Sequence, residues 1–263
     1  MTMRHIFPCL FILLISCQKT VTLKLDTVPP QIVIQGNLTD GPGPDTVKII
    51  RSINFYADNI FPTVSGANVI ITDNAGNKES LTEAIPGSYI TNTLRGVPGN
   101  TYTLSVTVND STYTAVSTMP QPVNLDSVTF VVSSRIRNSQ ITAVANFQDP
   151  SGVDNYYRFE EYINGFLYTK DYFVFSDRLS DGRYISLNLR TDSINMNTGD
   201  FLKVNMYSVD KNDYNYFFQL RQATAGGTFN TDASPANPSG NFNNGAYGYF
   251  SAHTVRSKTV VVY

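Results

Sequence analysis

The chain has 263 residues and a formal net charge of −2, and only 15% of its residues are charged, against roughly 25% in a typical globular protein. Lysine and arginine are scattered along the sequence, so no basic patch for a phosphate backbone is expected, and nucleic acid is excluded as an expected partner. Tyrosine and phenylalanine number 16 each, and together with valine, threonine and asparagine they favour strands and turns.

The N-terminus has the layout of a secretory signal peptide. The basic residue Arg4 precedes an apolar run at 6–15, which is too short to span a hydrocarbon layer of ~30 Å. The run ends in "LISC", which resembles the bacterial lipobox, although Cys17 could instead lie near a conventional cleavage site. We expect a lipoprotein signal peptide at 1–16, a lipid anchor on Cys17 that holds the protein to a membrane, and a tether at 17–30.

Strand patterns begin directly after the tether. They are rich in β-branched residues or alternate apolar and polar side chains, and turn sequences such as "DGPGPD" separate them. The clearest predicted strands lie at 31–38, 46–53, 67–73 and 101–108. About seven strands are expected over 31–119, which predicts an immunoglobulin- or transthyretin-like β-sandwich that ends in a hairpin at 101–118.

The prolines of 120–127 mark a predicted linker, because proline does not sit in a central strand. A second β unit is predicted over 128–263, with strands expected at 127–133, 140–147, 155–163, 166–175, 184–190 and 201–209. Asn164 and Gly165 predict a two-residue hairpin turn, which needs positive φ at both positions. The 247 residues left after cleavage (263 minus 16) could form one large β domain, but we expect an all-β chain of two sandwich-like domains in tandem.

The segment 213–225 breaks the β pattern, because its apolar residues recur at helical spacing. Asp213 is the predicted N-cap and Gly226 the predicted C-cap, and we expect this helix to cover an end or a face of the second unit. The residues that follow, 226–252, are rich in proline, glycine and asparagine and predict a long loop, which is usually either functional or disordered. The closing "VRSKTVVVY" predicts a last strand.

The candidate contact residues lie in this loop and just after it. Phe229 and Phe242 stand amid small polar residues, and Tyr247 and Tyr249 follow. If the chain around them is a strand, the two tyrosines share one face and Phe250 points to the other. Two interpretations are open: the aromatic residues close the core over a sandwich edge, or Phe229, Phe242, Tyr247 and Tyr249 form a partner or ligand surface.

Several segments of the sequence resemble one known family. "VIQGNLTDGPGPDTVKI", "DYNYFFQL" and "SPANPSGNFNNGAYGYFSA" resemble the lipoproteins of Bacteroidota catalogued as domain of unknown function 4249, over roughly residues 30–262. The resemblance implies an outer-membrane lipoprotein, often encoded beside a TonB-dependent transporter, without an established activity. The "CQKT" after the lipobox lacks the acidic residues that often accompany surface export in such bacteria, so a periplasm-facing and a surface-exposed orientation both stay open.

Catalytic chemistry has few candidates in the sequence. After cleavage His253 is the one remaining histidine and no cysteine other than the acylated Cys17 remains, which excludes a zinc ligand set in practice. A Ser-His-Asp triad would need His253 as its base, and no "GxSxG" elbow accompanies it. Glu160 and Glu161 are adjacent, so a strand points them to opposite faces; each could still pair with Asp171 or Asp154, as a glycosidase requires.

Calcium is the remaining metal with candidate ligands. Asp149 with Asp154, and Asp210 with Asp213, could offer carboxylate oxygens. Neither sequence matches an EF-hand, and aspartate is common in turns. We therefore expect no cofactor and no metal.

The sequence as a whole favours binding over catalysis. We expect a cell-envelope lipoprotein that acts as a non-catalytic binding or accessory component, with a TonB-dependent transporter as its expected partner and no enzymatic activity. A hydrolase acting on polymers outside the cytoplasm and a structural or adhesive envelope protein are the alternatives.

Overall fold

The computed structural model describes residues 29–54, 57–135, 138–168, 172–189, 196–224 and 237–263. The predicted signal peptide, the predicted anchor Cys17 and the candidate Phe229 lie outside these residues, as does most of the predicted tether. The described chain is all-β with one α-helix, and none of its helical residues form a segment long and apolar enough to cross a membrane.

The elements of the described chain follow one another in this order: β1 (Ile32–Thr39), β2 (Thr46–Arg51), β3 (Asn68–Asp73), β4 (Lys78–Ser80), β5 (Thr82–Ile85), β6 (Ser88–Ile90), β7 (Thr101–Val108), β8 (Ser111–Thr118), β9 (Ser127–Arg135), β10 (Asn138–Gln148), β11 (Tyr156–Ile163), β12 (Phe166–Leu167), β13 (Phe173–Ser176), β14 (Tyr184–Leu189), β15 (Phe201–Val209), α1 (Lys211–Thr224) and β16 (Tyr247–Val261).

The strands form three sheets. A nine-stranded sheet runs in the order β12-β11-β15-β16-β1-β2-β6-β5, and its ninth strand, β13, pairs with β11. A four-stranded sheet, β4-β3-β7-β8, packs on one half of the large sheet, and a three-stranded sheet, β14-β10-β9, packs on the other half. The result is two β-sandwiches that share one continuous sheet, which confirms the predicted fold class.

The last strand, β16, joins the two sandwiches. Its first half runs parallel to β1, with Val33 opposite Tyr247, and its second half runs antiparallel to β15, with Phe201 opposite Val261. The expected loop at 226–252 therefore ends earlier than predicted, because residues from Tyr247 onward are already in the sheet. A parallel partner more than 200 residues away along the chain gives no local sequence signal.

Each sandwich has its own apolar core. The alternation predicted for 101–108 is confirmed, since Tyr102, Leu104 and Val106 are fully buried in the first core. Met119 belongs to the first core and Val123 to the second, so the chain passes from one core to the other at the predicted linker. The last strand returns to the first sandwich, where Phe250, Ala252 and the preceding Ala246 are part of the core.

The helix α1 packs on the outer face of the large sheet. Tyr216 and Phe217 form a third apolar cluster with Val174 of β13 and Tyr249 of β16, so α1 covers a face as predicted. The N-cap prediction is wrong: Asp210, not Asp213, accepts the hydrogen bond from the Asp213 backbone N–H at 2.9 Å, which is the geometry of an N-cap with its third helical residue.

Local turn chemistry is confirmed where the prediction was most specific. Asn164 and Gly165 have φ of 50° and 85° and join β11 to β12. The strand predicted at 166–175 is interrupted, because Leu167 faces Tyr162 whereas Phe173 faces Phe159. From Leu167 to Phe173 the chain advances six residues, whereas their partners on β11 are only three residues apart. The pairing with β11 is therefore interrupted between β12 and β13.

Candidate functional site

A cleft of about 630 Å³ opens where α1 meets the beginning of β1 and β16. Its volume lies within the range of about 300–1,000 Å³ that is usual for ligand pockets. The described residues that line it are Gln31, Val33, Ser52, Ile53, Asn54, Phe61, Tyr216, Leu220, Asn237, Pro238, Tyr247 and Gly248.

The strand wall of the cleft is fixed by the β1–β16 pairing. Val33 and Tyr247 are direct neighbours across the two strands. Gly248 has a φ of +102°, and a Cβ on it would lie 1.9 Å from the carbonyl oxygen of Ile34, so this position requires glycine for the strands to approach. Reciprocal hydrogen bonds between Gln31 and Ser52 close the floor: Gln31 N–H donates to Ser52 Oγ at 2.8 Å and Ser52 N–H to Gln31 O at 2.9 Å.

The opposite wall comes from α1 and the chain that precedes β16. Tyr216 and Leu220 are one helical turn apart and face the cleft together. Asn237 and Pro238 are held beside them because the backbone N–H of Ser239 donates to Gln219 Oε1 of the helix at 2.8 Å. The position of this wall therefore depends on the helix.

The described lining is electrically neutral. It contains no aspartate, glutamate, histidine, lysine or arginine. Burial raises the pKa of Tyr216 to about 12, so its hydroxyl stays protonated at neutral pH. Tyr247 and Phe61 keep 38% and 47% of their surfaces exposed, so both rings are available to a ligand. Among the described residues the lining contains no carboxylate, imidazole, thiol or amine, and its ionisable groups are the tyrosine hydroxyls.

The predicted contact residues separate into different roles. Tyr247 lines the cleft, whereas Tyr249 packs against Tyr216 and Phe217 of α1, with ring centroids 5.0 and 4.9 Å apart. As predicted for a strand, Phe250 points the other way and is fully buried in the first core. Phe242 is partly buried against that same core, in agreement with the core-closing interpretation for this residue.

The asparagine-rich segment before β16 is a clamp on the edge strand β8. Asn243 exchanges two hydrogen bonds with Thr114 of β8, at 3.0 and 2.7 Å. The side-chain amide of Asn241 also makes two hydrogen bonds, both with the backbone of Phe250: it accepts from the Phe250 N–H at 2.9 Å and donates to the carbonyl oxygen at 2.8 Å. The side chains thus cover a strand edge that would otherwise pair with another chain. This part of the predicted functional loop is structural.

A buried charge cluster lies on the other side of α1. The Arg158 guanidinium lies between the rings of Tyr207 and Phe217, 4.5 Å from each centroid. It donates to Glu160 at 2.9 Å and has its Nε 3.5 Å from Asp213 Oδ1. Burial lowers the pKa of Arg158, but the two carboxylates raise it by more, so the net shift is upward and the side chain stays charged. This cluster fixes the helix to β11.

The residues considered for catalysis are placed in closed surroundings. His253 is 1% exposed, and its Nδ1 lies 2.9 Å from Ser251 Oγ, which is also buried. Burial and the nearby Arg158 hold the pKa of His253 well below its usual value. A serine–histidine pair without access to solvent cannot attack a bound substrate in this conformation.

The adjacent glutamates point to opposite faces of β11, as predicted. Glu160 accepts hydrogen bonds from Arg158, from the Tyr162 hydroxyl and from the Tyr207 hydroxyl, so its carboxylate is occupied. Glu161 is buried. Of the carboxylates considered as their partners, Asp154 is exposed and Asp171 lies outside the described residues.

The carboxylates considered as candidate calcium ligands are placed as follows. Asp149 lies near Asp177 and Asp181, with carboxylate oxygens within 4.8 Å of one another, and not with Asp154. Each of the three carboxylates already accepts a backbone N–H, from Gly182, Asn155 and Gly152 respectively. Asp210 caps α1 and Asp213 turns toward Arg158. These contacts give the acidic groups structural roles, and we assign no metal to them.

The fold defines an all-β protein of two joined sandwiches, with a cleft whose described lining is uncharged. The family model described as Domain of unknown function (DUF4249) matches residues 18–259. Since the match covers most of the chain, the protein belongs to this family. No curated protein matches the chain.

Sequence reasoning found one wall residue of the cleft, Tyr247, and missed the rest. Gln31 precedes β1, Asn54 and Phe61 lie in the connection between β2 and β3, and Asn237 lies before β16, so only the tertiary fold brings them together. Tyr216 belongs to the predicted helix, but the sequence does not show which face of that helix lines a cleft, because this depends on the position of β16.

Proposed function

We propose that this protein is a cell-envelope lipoprotein, anchored to the outer membrane through Cys17, that acts as a non-catalytic binding or accessory component beside a TonB-dependent transporter. The observation that carries the proposal is the cleft: it has the size of a ligand site, and its described lining holds no carboxylate, imidazole, thiol or amine.

The position of the cleft suits an anchored protein. Gln31 on its wall comes 14 residues after Cys17 (31 minus 17). A chain of that length reaches at most about 50 Å when fully extended. The cleft would therefore stay close to the membrane that holds the anchor, which is where a transporter would receive a ligand.

The anchor is tested with Cys17→Ser. The variant is expected to lose labelling by radioactive palmitate and to leave the detergent phase, because two or more acyl chains are needed for stable attachment. A wild-type protein that carries no lipid, or a variant that stays membrane-bound, contradicts the anchor.

The partner is tested by capture from native outer membranes with wild-type protein and Tyr247→Ala. Recovery of a TonB-dependent transporter with wild-type protein is the expected result. Tyr184→Ala is the control, since Tyr184 is 56% exposed on β14 and not part of the described cleft lining. If no transporter is recovered with any variant, the accessory role is wrong.

A further inference from the structure

The cleft contains polar side chains that a ligand can reach. Tyr216 is only 9% exposed, it lines the cleft, and its hydroxyl has no hydrogen-bond partner among the described residues. A tyrosine hydroxyl usually finds a partner when the ring is buried. Asn54, Asn237 and Tyr247 also line the cleft, and their side chains are exposed there. Together with the Tyr216 hydroxyl they present donors and acceptors to the cleft, which suits a ligand that both accepts and donates hydrogen bonds.

The absence of charge in the described lining limits the class of ligand. A carboxylate, phosphate or ammonium group would be desolvated here without a counter-charge, at a cost that hydrogen bonds from amides and hydroxyls do not fully offset. The exposed rings of Phe61 and Tyr247 offer flat apolar surfaces beside the polar groups. The cleft thus combines aromatic faces with amides and hydroxyls, which suits a neutral ligand with alternating apolar and hydroxyl surfaces.

A peptide that binds by strand addition does not fit the strand wall. β1 is paired on both sides where it lines the cleft, since Val33 faces Ile50 on β2 and Tyr247 on β16. There is no free backbone edge on β1 for a third strand. On the strand wall the contacts with a ligand therefore come from side chains.

Resting on the proposed binding function, we propose that the cleft binds an uncharged oligosaccharide. The ring of Tyr247 packs against a sugar face, and Tyr216 Oη together with the amides of Asn54 and Asn237 bonds the sugar hydroxyls. Each sugar hydroxyl both donates and accepts, as these side chains do.

The test is calorimetric titration of the full-length mature protein with three neutral hexasaccharides: maltohexaose, cellohexaose and N-acetylchitohexaose. Hexagalacturonate is the charged control and hexaalanine the peptide control. At least one neutral hexasaccharide is expected to bind. Tyr247→Ala should weaken that binding about tenfold or more, because an aromatic contact is lost. Tyr216→Phe should weaken it by about three- to tenfold, because one hydrogen bond is lost.

Matched variants separate a local effect from a general one. Tyr214→Phe removes a hydroxyl from the same helix, and Tyr184→Ala removes an exposed ring from β14; neither residue is in the described lining, so both should bind like wild type. The proposal is overturned if no neutral hexasaccharide binds at up to about 10 mM, where the binding free energy falls below ~3 kcal/mol. It is also overturned if hexagalacturonate or hexaalanine binds more tightly than the neutral hexasaccharides. The same holds if Tyr247→Ala and Tyr216→Phe bind a neutral hexasaccharide like wild type. Transporter recovery without sugar binding would defeat this inference and leave the accessory role intact.

Discussion

Both sandwiches have apolar cores, but they differ in the buried charged groups that lie beside those cores. The first core is built almost wholly from aliphatic and aromatic side chains, and it is completed by Phe250 and Ala252 from the far end of the chain. The second sandwich keeps buried charges beside its core, among them Arg158 and Asp213 on the helix-covered face of the sheet. The stability of the first sandwich therefore depends on apolar residues of β16, which is distant along the chain. The stability of the second depends on buried ion pairs between opposite charges.

This difference predicts that the two sandwiches respond to different substitutions. An apolar truncation in the first core should leave a cavity, because its side chains are buried. Removal of a charged side chain should destabilise the second sandwich most, because the oppositely charged residue of the ion pair is then left buried without a partner. Both effects can be measured as changes in the free energy of unfolding.

Phe250→Ala should give the largest loss. The ring is fully buried between Leu104 and β1, and a Cβ on Gly36 would lie 2.9 Å from both Phe250 and Leu104, so the packing is tight. Removal of a buried phenylalanine ring costs about 3–5 kcal/mol. The urea midpoint should fall accordingly, while Phe166→Ala, whose ring is 79% exposed, should change stability by no more than about 0.5 kcal/mol. Equal midpoints for the two variants would contradict the assignment of β16 to the first core.

Arg158→Ala should destabilise by about 3 kcal/mol, because Asp213 then stays buried without its cation. Adding Asp213→Asn should recover part of the loss, since the double variant no longer buries an unpaired charge. Arg178→Ala, at an exposed position, is the control and should be near neutral. If Arg158→Ala unfolds like wild type in urea, the charge cluster does not fix the helix.

Sequence patterns predicted the features that depend on neighbouring residues. The alternation of 101–108 and the Asn164–Gly165 turn need only a few adjacent side chains, and both are confirmed. The N-cap of α1 was misplaced by three residues because Asp210 and Asp213 are both good caps in sequence, and only the geometry shows which carboxylate meets the helix N–H.

Features that depend on distant pairing could not be predicted. The segment "NGAYGYFSA" was treated partly as loop, because its role as a parallel neighbour of β1 depends on contacts more than 200 residues away. The cleft has the same origin, since its walls come from β1, the chain after β2, α1 and the chain before β16. The sequence indicates Tyr247 and Tyr249 as aromatic candidates alike. That Tyr247 lines the cleft while Tyr249 packs under α1 depends on where the helix lies, which the sequence does not show.

The smallest expected effect concerns Asp45, a buried carboxylate in the first sandwich. Its Oδ1 accepts a hydrogen bond from the Thr39 hydroxyl at 2.9 Å, and its Oδ2 is buried without a partner among the described residues. Burial raises the pKa of Asp45 to about 6, and the charge of Arg95 offsets this only in part. Unlike Asp213, it has no adjacent guanidinium within ion-pair distance in the described chain.

The raised pKa fixes the sign of the pH effect. Between about pH 4 and pH 6 the folded protein holds a proton on Asp45 that the unfolded chain has released, so stability falls as pH rises through this window. The loss is at most about 3 kcal/mol for a shift of this size, and partial exposure and relaxation reduce it. Asp45→Asn keeps the acceptor for Thr39 but cannot ionise, so its unfolding free energy should lack this decline.

The quantity to measure is the difference between the wild-type and Asp45→Asn profiles from pH 4 to pH 7. Carboxylates with lowered pKa, such as Asp73, which is hydrogen-bonded by Asn77, contribute a slope of the opposite sign in both proteins, and the subtraction removes it. We expect the variant to gain stability relative to wild type as the pH rises through about 6. Parallel profiles would mean that Asp45 is ionised at no cost in the fold, and that buried charge is tolerated in the first sandwich as it is in the second.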